Sequence, residues 1–519
     1  MRAFCEADVA AMMDRHRYPA DIRAIVERED LLPVGLLSRL HATYPQASGL
    51  AEQETFLFND TRQYTGLDGF REVLAVLGRH GIDLGHVVER ELFIEVYRFL
   101  ATSHVLNSID WRDFARDSLF QLTFPQPGMM PPEVVTAYAA ADTPADRRRV
   151  VGEYFERTNP HDGNQRLNRP RIRNGDGTDE VLAGSQHKYP QCQLVFDRTT
   201  QNCFAFCTYC FRHAQVRGDQ DMFLQEDAAQ VHRYLRQHTE VTDLLITGGD
   251  AGFMSADRFA EYARPVLEDP ALRHIRTIRF ASRALSYHPA LILSPRYDGM
   301  LDLFRAVVDH GVQLSWMAHF STPRELLNPS TIAAIRRLQR RGVVVRSQSP
   351  VMNHISLFRG ADGTVDVDRS AQNWIDLGNL LAALRVVFHS MYCARPTGEH
   401  HYFTAPLADV NRVASKVYRS LPSINRPSRY LSMTTSAGKI SILGTAIVNG
   451  QRAFALKFTQ ARNMEWLDRV FLAKYDERQN NVDLLEPFDT DRFFFRDELA
   501  SIERALASAL SAADAGARD

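Results

Sequence analysis

Asn202-Cys-Phe-Ala-Phe-Cys-Thr-Tyr-Cys-Phe-Arg212 gathers three of the chain's six cysteines, Cys203, Cys207 and Cys210, into eight residues. Three thiolates this close hold one metal centre and leave it short of ligands. A cubane iron–sulfur cluster takes four thiolates, one per iron. With three, one iron keeps an open face, and an open face on a metal is where chemistry occurs. Two other readings fit the spacing. Cys207-x2-Cys210-x2-His213 completes a Cys3His zinc site, or the thiols are inert.

From residue 193 onward, short apolar runs alternate with helical stretches. The expected strands are Gln193–Arg198, Asp243–Thr247, Thr277–Ala281, Gln313–Met317, Val343–Arg346 and Leu384–His389. Segments such as AAQVHRYLRQH and MLDLFRAVVDH, with apolar spacings of three and four, separate them. This alternation predicts parallel strands with right-handed crossovers. Six strand–helix units fall short of the eight of a closed barrel. The expected fold class is therefore α/β, a partial (β/α)6 TIM-like barrel over 193–420. A helical region precedes it (1–157), then a linker rich in Asn, Gly and Pro (158–192). The helical spacing lies in 24–40, in 69–81 with Gly81 as the stop, and in 90–106. The region 421–519 is read as an extension with a hairpin, Lys439–Val448 and Ala453–Phe458 turning at Asn449-Gly450, and a terminal helix.

Polar residues recur where each strand is expected to end. The cysteine loop follows the first strand. Gly248-Gly249-Asp250, Ser282-Arg283, His319, Ser347-Gln348-Ser349 and His389-Ser390 follow the others. Barrels build their sites at that edge, so one shared site is expected there. No dinucleotide fingerprint is present, since Gly248-Gly249-Asp250 is not G-x-G-x-x-G.

Composition is that of an ordinary soluble protein, with 45% hydrophobic and 24% charged residues among 519. A formal net charge of −2 gives no basis for binding nucleic acid or an anionic membrane. The N-terminus mixes acids and bases where a signal peptide needs an apolar run. The longest apolar stretch, Leu377–Phe388, is broken by Asn379 and Arg385. A reducing cytoplasm is the expected location, because clustered cysteines do not form a disulfide framework.

The cysteine motif, with Tyr209 before the last cysteine, resembles the radical S-adenosylmethionine superfamily. The stretch from Asp179 to Ser356 resembles, more closely, the lysine 2,3-aminomutase family. His187-Lys188-Tyr189-Pro190 is similar to that family's His-Arg-Tyr-Pro, and Leu245-Ile-Thr-Gly-Gly-Asp-Ala251 to its Gly-Gly-Asp-Ala strand. Phe280-Ala-Ser-Arg283, Ala318-His-Phe320 and Ser347-Gln-Ser349 follow in the family's order. The resemblance implies a [4Fe–4S] cluster on Cys203, Cys207 and Cys210 that cleaves S-adenosylmethionine to a 5′-deoxyadenosyl radical. It implies an amine moving from Cα to Cβ of an amino acid, and pyridoxal phosphate on Lys439, which follows Ser436-Ala-Gly438. Tyr189 and Lys188 would contact that cofactor's ring and phosphate, and Arg212 the substrate carboxylate. Gly248, Gly249, Asp250, Ser282, Arg283, His319 and Gln348 would line the S-adenosylmethionine site. The glycines would let backbone approach the cofactor, Asp250 would face its ammonium or cap a helix, and Arg283 would hold a carboxylate.

Three departures from the family pattern stand out. The second basic residue of the phosphate site is Cys192 here. Two substrate-binding aspartates are missing, since Ala394 follows Cys393 and Leu431–Ala437 holds no acid. The C-terminal zinc cysteines of some members are absent. Lysine is therefore not the expected substrate, because a buried ammonium without a partner is costly. Arg395 points to an acidic or neutral amino acid. A one-electron reductant such as flavodoxin or ferredoxin and a homo-oligomer are expected partners. The competing readings are a radical enzyme without pyridoxal phosphate and a zinc-stabilised binding protein.

Overall fold

The computed structural model describes residues 62–158, 165–218 and 222–516, together with Asp14, Ala20–Ile22, Ala24 and Phe58. Its centre is an eleven-stranded sheet whose strands pair in chain order. These are β1 (Ser185–Tyr189), β2 (Cys192–Phe196), β3 (Asp243–Thr247), β4 (Thr277–Ala281), β5 (Gln313–Ala318), β6 (Val344–Val351), β7 (Val387–Cys393), β8 (Arg429–Thr434), β9 (Gly438–Val448), β10 (Gln451–Ala461) and β11 (Val470–Lys474). From β2 to β8 every pairing is parallel. The edges, β1 on β2 and β9 to β11, are antiparallel.

Six crossover helices link the parallel strands: α1 (Ala228–Gln237), α2 (Ala256–Glu268), α3 (Asp298–Asp309), α4 (Pro329–Arg340), α5 (Val367–Ala383) and α6 (Leu407–Ser420). Each buries an apolar stripe, as in Met300, Leu301, Phe304 and Val307 of α3. The strands alternate faces. Leu244 and Ile246 of β3, and Ile278 and Phe280 of β4, are wholly buried. Leu245 and Thr247, and Arg279 and Ala281, face a central cavity instead. Phe280 packs edge-on against Phe259 of α2 and Phe304 of α3, with ring centroids 5.9 and 5.4 Å apart.

The sheet curls so that β1 approaches the turn between β8 and β9. Lys188 of β1 donates to the Thr435 carbonyl in the turn after β8. Arg462 bridges Asn168 at 2.6 Å and the Ser436 carbonyl at 2.9 Å. These contacts are polar and local, and among the described residues no strand ladder closes the sheet.

Several expectations shift. A seventh parallel strand, β8, follows the sixth unit, and the C-terminal hairpin continues the same sheet. Leu384 caps α5, so the last expected strand lies three residues later, as β7. Ser347–Ser349 and His389-Ser390 then sit inside strands, and β6 carries a register shift at Ser347/Gln348. Within 158–192, the described part holds a small hairpin, Arg171–Arg173 with Asp179–Val181, and then β1. The helix expected over 90–106 breaks: Val87–Val96 is helical, Leu100–Thr102 pairs with Gln63–Thr65, and Ser103–Ser108 is helical again. The helix over 69–81 is present as Gly66–Arg79. The helical pattern at 24–40 lies largely outside the described residues. Asn449 and Gly450 turn the hairpin with φ of 49° and 76°.

Candidate functional site

One cavity of about 330 Å³ opens at the C-terminal ends of β2 to β5 and runs down inside the curl. Its walls bring together Cys203, Cys207, Cys210, Arg212, Gly248, Gly249, Asp250, Ser282, Arg283, His319, Gln348, Lys188, Tyr189 and Lys439. Lys188 on β1 and Lys439 on β9, at opposite ends of this stretch of chain, thus share one space.

The cysteine loop is anchored from outside by the N-terminal region. Gln63 Nε2 donates to the carbonyls of Cys203 and Phe204 at 2.5 and 2.7 Å. Phe206 N donates to Leu100 O, and Thr208 N to Leu122 O, both at 2.9 Å. Nothing in the sequence marks these contacts, because they join segments about a hundred residues apart and each ends on a backbone group of the cysteine loop.

Burial and the neighbouring thiols push Cys210 up to about 12 and Cys203 well above the ordinary thiol range. Unliganded, these groups stay neutral thiols at physiological pH, and a cationic centre is what would let them ionise as ligands. Among the described residues, the one trio of metal-ligand side chains converging within 4.8 Å is His187, His238 and Glu240 on the outer face of β1. His213, the fourth ligand of the zinc reading, is wedged edge-on between Tyr97 and Phe155 with centroids at 5.0 and 5.8 Å. The donor set fits a cubane cluster better than a single ion.

The glycines at the end of β3 also have a reason within the protein itself. A Cβ on Gly249 would lie 2.6 Å from the Asn202 carbonyl oxygen and 3.0 Å from Cys203 Sγ. At Gly248, where φ is +149°, it would lie 2.1 Å from Thr200 Oγ1. The pair makes room for the cysteine loop itself. Asp250 caps the following turn, its Oδ1 accepting from Gly252 N at 2.7 Å, and its Oδ2 accepts from Arg283 N at 2.8 Å. It therefore ties the ends of β3 and β4 together, the capping role. Burial raises it to about 6 despite its bonds to Ser282 and these backbone N–H groups.

Arg283 lines the cavity and is also engaged by protein groups. Its Nη2 pairs with buried Glu325 at 2.9 Å, and its Nη1 contacts Cys207 Sγ and Tyr209 OH, each at 3.2 Å. A guanidinium so engaged braces the cysteine loop, while its Nε is buried with no hydrogen-bond partner among the described residues. Tyr287 OH adds a contact to Cys207 Sγ at 3.1 Å. Neither Glu325 nor Tyr287 was legible as a site residue. Arg212 Nη1 bonds Thr247 Oγ1 and the Gly248 carbonyl. Burial and Arg395 lower Arg212 to about 10, so it stays charged at neutral pH. His319 sits 3.4 Å from Gln348 and is held neutral, pulled down to about 3 by burial and by Arg283 and Arg212.

Lower in the cavity, Lys439 is the second residue of β9, opposite Gln460 of β10. A tight turn presents it, Thr435 N donating to Gly438 O at 2.7 Å. Burial and the nearby Arg429 and Arg279 pull its amine down to about 7. Tyr189 OH is buried with no hydrogen-bond partner among the described residues. A half-neutral amine, an orphaned phenol and abundant positive charge suit pyridoxal phosphate, so the residues present fit that group. His389, expected at the mouth, is not among the residues that line the cavity; burial and Arg429 pull it down to about 3.

The sequence is similar to a putative L-lysine 2,3-aminomutase of Aquifex aeolicus, 26% identical over 266 residues (50% of this chain, 64% of that protein). It is similar to the L-lysine 2,3-aminomutase of Clostridium subterminale, 29% identical over 231 residues (44% and 49%). Over these stretches the chain is similar to lysine 2,3-aminomutases at 26–29% identity. The glutamate 2,3-aminomutase of Clostridioides difficile is a further relative, 27% identical over 170 residues (33% of this chain, 37% of that protein). The chain spans between about a third and two thirds of the length of these curated aminomutases. No family model matches it. Among solved structures, a radical SAM methyltransferase from Sphaerobacter thermophilus aligns at 17% identity and a TM-score of 0.30, covering 50% of this chain and 72% of that one. A likeness at that score carries no weight for fold or function.

Proposed function

We propose that this chain is a radical S-adenosylmethionine enzyme that moves an amine between adjacent carbons of an amino acid other than lysine. The observation that carries the reading is the single cavity shared by Cys203, Cys207, Cys210 and Lys439. Relatives named for lysine and glutamate aminomutation support it. The strands β2 to β8 are read as a partial barrel, with the helical region before it and the hairpin and terminal helix after it as additions.

A cluster on the three cysteines would supply the electron that cleaves S-adenosylmethionine. Pyridoxal phosphate, held by Lys439, Tyr189 and the cationic wall, would supply the π-system through which nitrogen can migrate. The chain's own residues do the positioning. Arg212 remains charged and is available to the substrate carboxylate. Neutral His319 and Gln348 present hydrogen-bonding edges without adding charge. The buried walls of Phe196, Phe206 and Phe223 exclude water from a reactive radical.

Substrate choice follows from charge. Lys188, Arg212, Arg279, Arg283, Arg395 and Lys439 line the cavity, and Asp250 is its one carboxylate among the described residues. A second ammonium on the substrate would find no free acid there, whereas an acidic or neutral side chain needs none. A reductant of the flavodoxin or ferredoxin type and a homo-oligomeric state complete the proposal. The test is anaerobic purification, absorption spectroscopy and incubation with S-adenosylmethionine and single amino acids. A cluster spectrum, 5′-deoxyadenosine formation and a β-amino product from glutamate or a neutral amino acid are expected. Stoichiometric zinc under iron-replete expression would overturn the reading.

A further inference from the structure

Cys192 stands where the resemblance implies a basic phosphate ligand, yet the cavity does not lack a cation at that spot. Cys192 and Arg279 both line it. Arg279 reaches across from β4 and donates to Cys192 Sγ at 2.7 Å. Its far side is clamped by Asp243, which begins β3, through Nε at 2.8 Å and Nη2 at 2.7 Å. These bonds leave Nη1 without a protein acceptor among the described residues. The register explains the reach: Cys192 pairs with Asp243, and Leu245 with Arg279, so the three groups lie across adjacent strands. The small thiol leaves open the space that a longer side chain on β2 would fill.

The surroundings are short of negative charge. Arg429 reaches the Gln460 amide oxygen, at 3.5 Å, and Lys439 sits opposite that same glutamine. Among the described residues Asp243 is the one carboxylate facing this group, and it is already bidentate to Arg279. Cys192 stays a neutral thiol, raised to about 11 by burial, and does not offset the excess. Lys188, the other expected phosphate ligand, is tied to the Thr435 carbonyl.

We propose that Arg279 is the phosphate-binding residue of this cavity, a guanidinium supplied from β4 in place of a base on β2, and that the phosphate is that of pyridoxal phosphate. The second half rests on the function proposed above; the first does not. Asp243 presets the fork, and a guanidinium suits a phosphate by its paired donors.

The test titrates pyridoxal phosphate, pyridoxal and inorganic phosphate into the full chain and its R279Q, R279K and C192R/R279Q variants. Binding is read from the absorption of lysine-bound pyridoxal, and for inorganic phosphate from its displacement of pyridoxal phosphate and its thermal protection. R279Q is expected to weaken pyridoxal phosphate by about tenfold or more and to abolish phosphate protection, with pyridoxal unchanged. R279K falls between. C192R/R279Q restores affinity, which shows that a guanidinium at this point matters and that R279Q still folds. Equal affinity of R279Q and wild type for pyridoxal phosphate overturns the proposal, as does a wild type that binds pyridoxal as tightly as its phosphate ester; neither touches the assignment of Lys439. Arg279-dependent phosphate protection with no pyridoxal phosphate binding sinks the cofactor reading and leaves the anion site standing. No response of the wild type to any of the three probes overturns both.

Discussion

Arg283 and Glu325 form an ion pair, 2.9 Å apart, with side chains 10% and 0% exposed, directly behind Cys207. Glu325 also accepts from Ser286 Oγ at 2.7 Å and from Ser321 N at 2.6 Å. The pair joins the loops after β4 and β5 to the cysteine loop. Removing one partner leaves an uncompensated buried charge. Glu325→Ala is expected to cost about 3–5 kcal/mol in urea or thermal unfolding. Glu325→Gln should cost less, because it keeps the acceptor. A near-neutral Glu325→Ala would show that the pair does not brace the site.

Each of Cys203→Ala, Cys207→Ala and Cys210→Ala is expected to abolish cluster assembly, measured as iron and labile sulfide per chain. Cys192→Ser and Cys393→Ser should keep the full complement, since Cys393 lines the cavity from β7 without joining the cysteine loop. Cys5, also expected to be dispensable, lies outside the described residues. Full iron in any of the first three would refute the assignment.

Gly249→Ala is expected to lower iron loading together with S-adenosylmethionine binding. Its Cβ would press on the Asn202 carbonyl at 2.6 Å and Cys203 Sγ at 3.0 Å, and backbone cannot yield cheaply. A variant with an intact cluster spectrum and only weakened cofactor binding would restore the simpler view that the glycine faces the cofactor.

Lys439 gives a pH signature. With its amine at about 7 rather than the ordinary 10.5, the neutral fraction rises roughly tenfold per pH unit below 7 and then levels. Capture of pyridoxal phosphate by borohydride, mapped to Lys439, should follow that curve and vanish in Lys439→Ala. A profile still rising at pH 9 would mean an ordinary lysine. The same shift has a sign in stability. Between about 7 and 10.5 the folded chain binds fewer protons than the unfolded one, so this group contributes stability that grows as pH rises through that window. Lys439→Met should flatten that part of the stability profile.

Local features are legible in the chain alone. Periodicity places strands such as Asp243–Thr247 and Thr277–Ala281 to the residue, because a five-residue apolar run between turn signals has few other options. The Asn449-Gly450 turn and the Gly81 stop are legible for the same reason: backbone conformation there depends on the residue itself. The cysteine spacing suggests a metal centre from the chain alone because ligand chemistry is local. Relations across strands come from the folded packing instead. Gln348 and His389 lie within strands because β6 and β7 lengthen by pairing with each other, which no single strand encodes. Tyr287 and Gln63 brace the cysteine loop from 80 and 140 residues away, and Glu325 does so through Arg283. Arg279 meets Cys192 because alternate side chains of parallel strands face one interior, and the curl of the sheet sets which of them converge. A sequence specifies which face a side chain takes; only the tertiary packing of the strands specifies what it meets there.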